Sequence, residues 1–210
     1  MSVHSAIAIM KIPEKNNTEK RERIIGAAVK VFAKNGFHNS KVSEIAKEAD
    51  VADGTIYLYF KNKDDILISL FESSLKLLID NMIEAIKNVD DPLEKLRLFI
   101  KMHLASVEKY QGVAEVMQVE LRQSHKFMKE YVPQRLADYL NIVSDIIDEG
   151  KKAGVIKQDI HPALFKRALF GAMDEIALNW VLIKRQRKKV YELANSANQL
   201  CELFIAGIKP

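Results

Sequence analysis

Residues 36–67 read GFHNSKVSEIAKEADVADGTIYLYFKNKDDIL, and this stretch decides the fold. Val42, Ile45, Ala46 and Ala49 fall at helical spacing, with Ser40 placed to cap the helix they define. Asp50-Val51-Ala52 reads as a tight turn. A second short helix is expected over Asp53–Phe60, its core side marked by Ile56 and Phe60, four residues apart. Two short helices joined by a three-residue turn make a helix-turn-helix. In motifs of this kind the second helix is short and its N-terminal end is the part that enters a DNA major groove, which sets what the residues there are expected to do.

The residue types fit that task. Gly54 lets the backbone approach a base or phosphate closely. Thr55 offers a hydroxyl and a methyl to a phosphate, a base edge or a thymine methyl. Tyr57 and Tyr59 can pack on one side and reach a phosphate with the hydroxyl. Lys63 is placed to neutralise a phosphate at the start of the next helix. Taken singly, the tyrosines read equally as surface aromatics, and Lys41, Lys61 and Lys63 as solvated lysines. Their occurrence together in this order favours nucleic acid.

Outward from this stretch the period stays helical, and strand-like alternation is nearly absent. Before it, a helix starts after Asn17-Thr18, carries Ile24, Ile25, Ala28, Val31 and Phe32 on one face, and ends at Asn35-Gly36. After it, helices are expected from about Asp64 to Asn88, from Pro92 to Tyr110, irregularly over Ala114–Lys129 with a bend near Ser124, from Pro133 to Gly150–Gly154, from Pro162 to Lys184 and from Val190 to Ile208. Gln111-Gly112 reads as a break. The expected fold is all-α with about nine helices. It divides into a flexible extension at 1–17, a helix-turn-helix domain at 18–63 and a ligand-binding and dimerisation domain at 64–210.

Composition sets wide bounds. The 210 residues are 48% hydrophobic and 29% charged, with net charge +4. Residues 1–63 hold 11 Lys/Arg and 7 Asp/Glu, while the remainder is balanced, so the positive field lies where a polyanion would bind. The single cysteine, Cys201, allows no intrachain disulfide and reads as a small buried hydrophobe in a reducing cytoplasm. No signal peptide or membrane span is expected. The five histidines lack metal-ligand spacing, and neither a phosphate loop nor a nucleophile elbow appears, so no enzyme, metal or cofactor is expected.

Residues 18–70 resemble the DNA-binding domain of the TetR family of bacterial repressors, through IA, the following A and V, GTIY, YF, K and L of the stretch quoted above. Two positions depart from the pattern: Asp50 stands where the family often has glycine, and Ala52 where it often has Ser or Thr. Asp50 is expected to cost local stability. The resemblance implies that Ser40 and Lys41 start the supporting helix against the DNA backbone. It also implies that Ala52, Asp53, Gly54 and Thr55 face the groove, and that Tyr57, Tyr59 and Lys63 hold phosphates. It implies a homodimer on palindromic double-stranded operator DNA.

VELRQS (Val119–Ser124) and FGAMDEIALNWV (Phe170–Val181) extend the resemblance to the FadR-like group of that family, which releases DNA on binding long-chain acyl-CoA. The small-molecule effector is expected to lie among Phe71, Leu75, Phe99, Met102, His103, Val116, Met117, Glu120, Leu121, Arg122, Leu140, Ile147, Phe170 and Asp174. Leu104 and Val143 are further candidates, and plain core is the competing reading for most of them. Arg122, Lys126, Lys101 and Arg97 are candidate partners for a CoA head, Arg122 first, its competing reading being a salt bridge with Glu120. Glu120, Asp174 and Glu175 would suit a lipophilic cation instead, which keeps a multidrug-type regulator open. An acyl-CoA-binding helical protein without DNA function is the other alternative. It leaves the Gly54–Lys63 cluster unexplained. The last two helices carry broad apolar faces that dimerisation would bury. The basic run Lys184–Lys189 reads as a solvated connection.

Overall fold

The computed structural model of the chain describes residues 17–186 and 191–210. The expected extension up to residue 16, most of the basic run after Lys184 and the expected helix start at Val190 lie outside the described residues. Among the described residues there are ten α-helices and no strand. We number them α1 Asn17–Asn35, α2 Val42–Glu48, α3 Asp53–Ile56, α4 Lys63–Ile86, α5 Pro92–Lys109, α6 Gln111–Glu115, α7 His125–Lys129, α8 Gln134–Lys152, α9 Pro162–Arg185 and α10 Leu193–Ile208. No described helix is long and apolar enough to cross a membrane.

The chain forms two compact units. The boundary differs from the expected one at 63/64. The helix-turn-helix clusters with the first part of α4, up to Ser74, and with Tyr110–Val132. The other unit holds Leu75–Lys109 and Pro133–Pro210.

In the first unit, Ile24, Ala28 and Phe32 of α1 are fully buried, with Ile25 and Val31 nearly so, as the stripe predicts. Gly36 stops α1 in the left-handed region, φ 77°, while its N–H still donates to Phe32 O. The expected break falls at Tyr110, between the end of α5 at Lys109 and the start of α6 at Gln111, one residue before Gln111-Gly112. Gly112 lies inside α6, where a Cβ would stand 3.1 Å from Val29 Cγ1, so glycine there permits α6 to approach α1 closely. The irregular stretch is real. A π turn spans Val116–Glu120, with Leu121 N–H donating to Val116 O, and a 3-10 turn spans Leu121–Gln123. Ser124 is the extended cap of α7, its Oγ accepting from Phe127 N–H.

In the second unit, α5 packs on α8, α9 and α10, and α9 packs on α8 and α10. Fully or nearly fully buried Leu96, Phe99, Tyr139, Ile147, Leu169 and Leu200 mark this core. Cys201 is buried, as expected, and burial raises its thiol pKa. Gly150 closes α8 against Ile156, whose side chain leaves no space for a Cβ.

Candidate functional site

The turn between α2 and α3 is built from outside itself. Asp50 adopts φ 52°, the left-handed conformation that its side chain disfavours. Arg23 on α1 holds this turn, its guanidinium donating to Ala49 O at 2.8 Å and Asp50 O at 3.0 Å. α3 follows with four α-helical residues, not eight. Beyond Ile56 the chain tightens, with Leu58 N–H donating to Thr55 O and Tyr59 N–H to Ile56 O, each three residues back. Ile56 and Phe60 are buried, as the spacing predicts, and Arg21 lies over the Phe60 ring at 5.3 Å.

What remains outside is the candidate reading surface. Ala52, Asp53 and Gly54 are exposed, Thr55 and Tyr59 half-buried. A Cβ on Gly54 would meet nothing within 4 Å, and its φ is not positive, so the domain's own fold does not require glycine there. Tyr57 is 59% exposed. Leu58 is 80% exposed, an apolar side chain set outward between two tyrosines. Sequence reasoning missed Leu58; its position off the Ile56–Phe60 side was the available signal.

Two expected DNA contacts are otherwise engaged. Ser40 is buried, and its hydroxyl donates to Gly36 O at 2.6 Å and lies 3.3 Å from Val31 O. It neither caps α2 nor faces outward; the cap position is Lys41, whose N–H donates to Glu44 Oε2 at 2.7 Å. The Lys63 ammonium donates to Phe37 O, His38 O and Ser40 O and sits 4.7 Å from the centre of the Phe37 ring. All three of its donors are used inside the domain, so its geometry is that of a brace on the α1–α2 connection. The start of α4 has its own reciprocal cap, missed from sequence: Asp65 N–H donates to Asn62 Oδ1 and Lys61 N–H to Asp65 Oδ2.

Glu120 also departs from expectation. It is 1% exposed, and its Oε2 accepts Phe37 N–H at 2.7 Å and Gln123 Nε2–H at 3.3 Å. The same oxygen lies 3.4 Å from the position a Cβ would take on Gly36. The carboxylate is therefore bound to the α1–α2 connection, which removes it from the set that suggested a cationic ligand. Next to it, Ser124 Oγ donates to Asp64 Oδ1 at 2.7 Å.

The other effector candidates divide between the units. Phe71, Val116, Met117, Leu121 and Arg122 lie in the first. Phe71 packs edge-on against Phe127 and Tyr131. Arg122 is exposed, 3.5 Å from Gln118 Oε1. Leu75, Phe99, Met102, His103, Leu140, Ile147, Phe170 and Asp174 lie in the second. There Phe99 stacks on Tyr139, and His103 Nδ1 is 2.8 Å from Tyr139 Oη. Burial lowers the His103 pKa to about 4 against a smaller opposing influence of Asp174, so the ring is neutral. Arg97 is bound by Glu202 at 2.8 Å, a partner that raises its pKa.

This arrangement defines a helix-turn-helix DNA-binding regulator with an all-helical second unit. Residues 24–70 match the family described as bacterial regulatory proteins, tetR family, and residues 71–207 match the YsiA-like protein C-terminal region. The chain belongs to the tetR family of bacterial transcriptional regulators. It is 43% identical over 194 residues to the fatty acid metabolism regulator protein of Bacillus subtilis, covering 92% of this chain and 98% of that one. Among solved structures, the B. subtilis regulator FadR in complex with stearoyl-CoA superposes with a TM-score of 0.82 at 43% identity, over 89% of this chain and 98% of that one. The fatty acid degradation regulator FadR of Bacillus halodurans gives 0.84 at 36% identity, over 93% and 98%.

Proposed function

We propose that the chain represses genes of fatty-acid degradation as a homodimer on a palindromic operator and leaves the DNA when it binds a long-chain acyl-CoA. The observation that carries this is full-length similarity to a fatty acid metabolism regulator whose structure holds stearoyl-CoA. α3 and the following turn, Ala52–Tyr59, are the proposed reading surface, with Lys41 and Lys61 near the phosphates. Leu164, 69% exposed on α9, and Leu203, 70% exposed on α10, support a dimer through the last two helices, because a second copy would remove both from water. Half-sites about 34 Å apart then match two recognition helices related by a two-fold axis. The effector needs only to bind the DNA-incompetent state better, by a few kcal/mol. Such a protein works in the cytoplasm, on the nucleoid when DNA-bound.

The test is a gel shift on DNA from upstream of the protein's own gene, titrated with palmitoyl-CoA, free CoA and a lipophilic cation dye. Release by palmitoyl-CoA alone is expected. Release by the dye alone would replace the effector, and no specific DNA binding would overturn the reading.

A further inference from the structure

The second unit contains a buried polar atom with no partner. His103 Nε2 is inaccessible and makes no hydrogen bond, in a residue only 8% exposed. Leaving a buried N–H or ring nitrogen unpaired is costly, and a leucine or methionine would pack at this α5 position without that cost. Buried polar atoms of this kind are explained by a group that joins them later, or by water.

The proton can be assigned. Among the described residues, Tyr139 Oη has one hydrogen-bond partner, His103 Nδ1 at 2.8 Å. The hydroxyl hydrogen therefore points to Nδ1, and a neutral imidazole that accepts at Nδ1 carries its proton on Nε2. Phe99 stacks on Tyr139 with ring centres 4.9 Å apart and holds that ring in place. Phe170 meets the imidazole edge-on at 6.3 Å. The result is a fixed, neutral, buried donor beside aromatic rings and within the electrostatic influence of Asp174, which an incoming acceptor reaches by displacing the side chains around it, with Tyr139 as the positioning residue.

We infer that His103 Nε2–H donates to the thioester carbonyl oxygen of the acyl-CoA and so distinguishes an acyl thioester from an otherwise identical apolar chain. This rests on the acyl-CoA reading above and names the atom that would recognise the ligand's head-to-chain junction. An acceptor is required, not a donor or a cation, because the free nitrogen carries the proton. The chain of the ligand contributes contact area, and the carbonyl supplies the one group that a buried N–H needs.

The test varies both partners. Operator release by wild type, His103→Leu, His103→Gln and Tyr139→Phe is titrated with palmitoyl-CoA and with S-hexadecyl-CoA, the thioether that lacks the carbonyl. Each protein is read as the ratio of the two half-release concentrations, so any general loss of affinity cancels. Wild type is expected to prefer palmitoyl-CoA by about ten-fold or more. The ratio should fall to near one in His103→Leu. His103→Gln should restore it, because its Oε1 can accept from Tyr139 while its amide N–H faces the ligand. Tyr139→Phe should fall between, since the proton is no longer confined to Nε2; this variant also serves if His103→Leu does not fold. A wild type released equally by both ligands overturns the inference and leaves the acyl-CoA reading intact, as does a His103→Leu ratio equal to wild type. Release by neither ligand fails the acyl-CoA reading itself, and the inference with it.

Discussion

Replacing Glu120 by Ala should cost the helix-turn-helix unit far more than a surface change. Its carboxylate accepts the Phe37 N–H at 2.7 Å from a site 1% exposed. A hydrogen bond to a charged group contributes about 1.5–3 kcal/mol, and the N–H left behind cannot be satisfied by the new methyl. Lost side-chain packing adds to this, so about 3 kcal/mol is expected in all. For a chain of this size that corresponds to a fall in Tm of about 6–12 °C. Glu120→Gln keeps an acceptor and loses only the charge assistance, so about 1 kcal/mol is expected. The assay is thermal melting by circular dichroism, together with amide hydrogen exchange at Phe37. Exchange there should accelerate in Glu120→Ala much more than in Glu120→Gln. A Glu120→Ala protein that melts within a degree of wild type, or one whose Phe37 amide stays protected, would refute the assignment of this carboxylate to the α1–α2 connection.

Three further outcomes follow from single features. Asp50→Gly relieves a left-handed conformation at φ 52° and should stabilise the protein by up to about 1 kcal/mol, seen as a higher Tm; a lower Tm would show that the aspartate earns its place there. Gly54→Ala, in open space, should leave the melting temperature near wild type while weakening operator binding in a gel shift; unchanged binding would remove Gly54 from the reading surface. The His103 pKa, lowered from 6.5 to about 4, means that the unfolded chain binds the extra proton first as pH falls. Stability should therefore drop from pH 6.5 towards pH 4 by an amount on the order of 3 kcal/mol from this group, and His103→Gln should flatten the melting profile in that window.

Periodicity made the helices legible because an amphipathic stripe such as Ile24–Phe32 is a local property of the chain. Ile56 and Phe60 were readable for the same reason, while the cost at Asp50 followed from the resemblance, since the family often has glycine at that turn. The internal partners of Lys63, Ser40 and Glu120 were not legible because they are main-chain atoms from elsewhere: Phe37, His38 and Ser40 carbonyls for Lys63, Val31 and Gly36 carbonyls for Ser40, the Phe37 amide for Glu120. A side chain's charge is visible in sequence, but which backbone group it satisfies is fixed only by the packed fold. Gly112 is similar. It reads as a break by type, and only the nearness of Val29 shows it as a point of close approach.

The π turn at Val116–Glu120 has a consequence for how the chain can change length. Closing a ring from Val116 O to Leu121 N–H accommodates one residue more than an α turn does. Deleting a single residue within the turn would let the segment relax to α-helix, so its backbone would tolerate the loss well. Five residues of a π turn cover about the angle that four cover in an α turn, so after such a deletion the Glu120 carboxylate would keep roughly its direction towards the Phe37 amide. A deletion in the α-helical residues of α6 has no such outlet and would carry Glu120 about 100° around the axis, off that amide. The turn is a reserve of one residue, placed where the docking can absorb its loss.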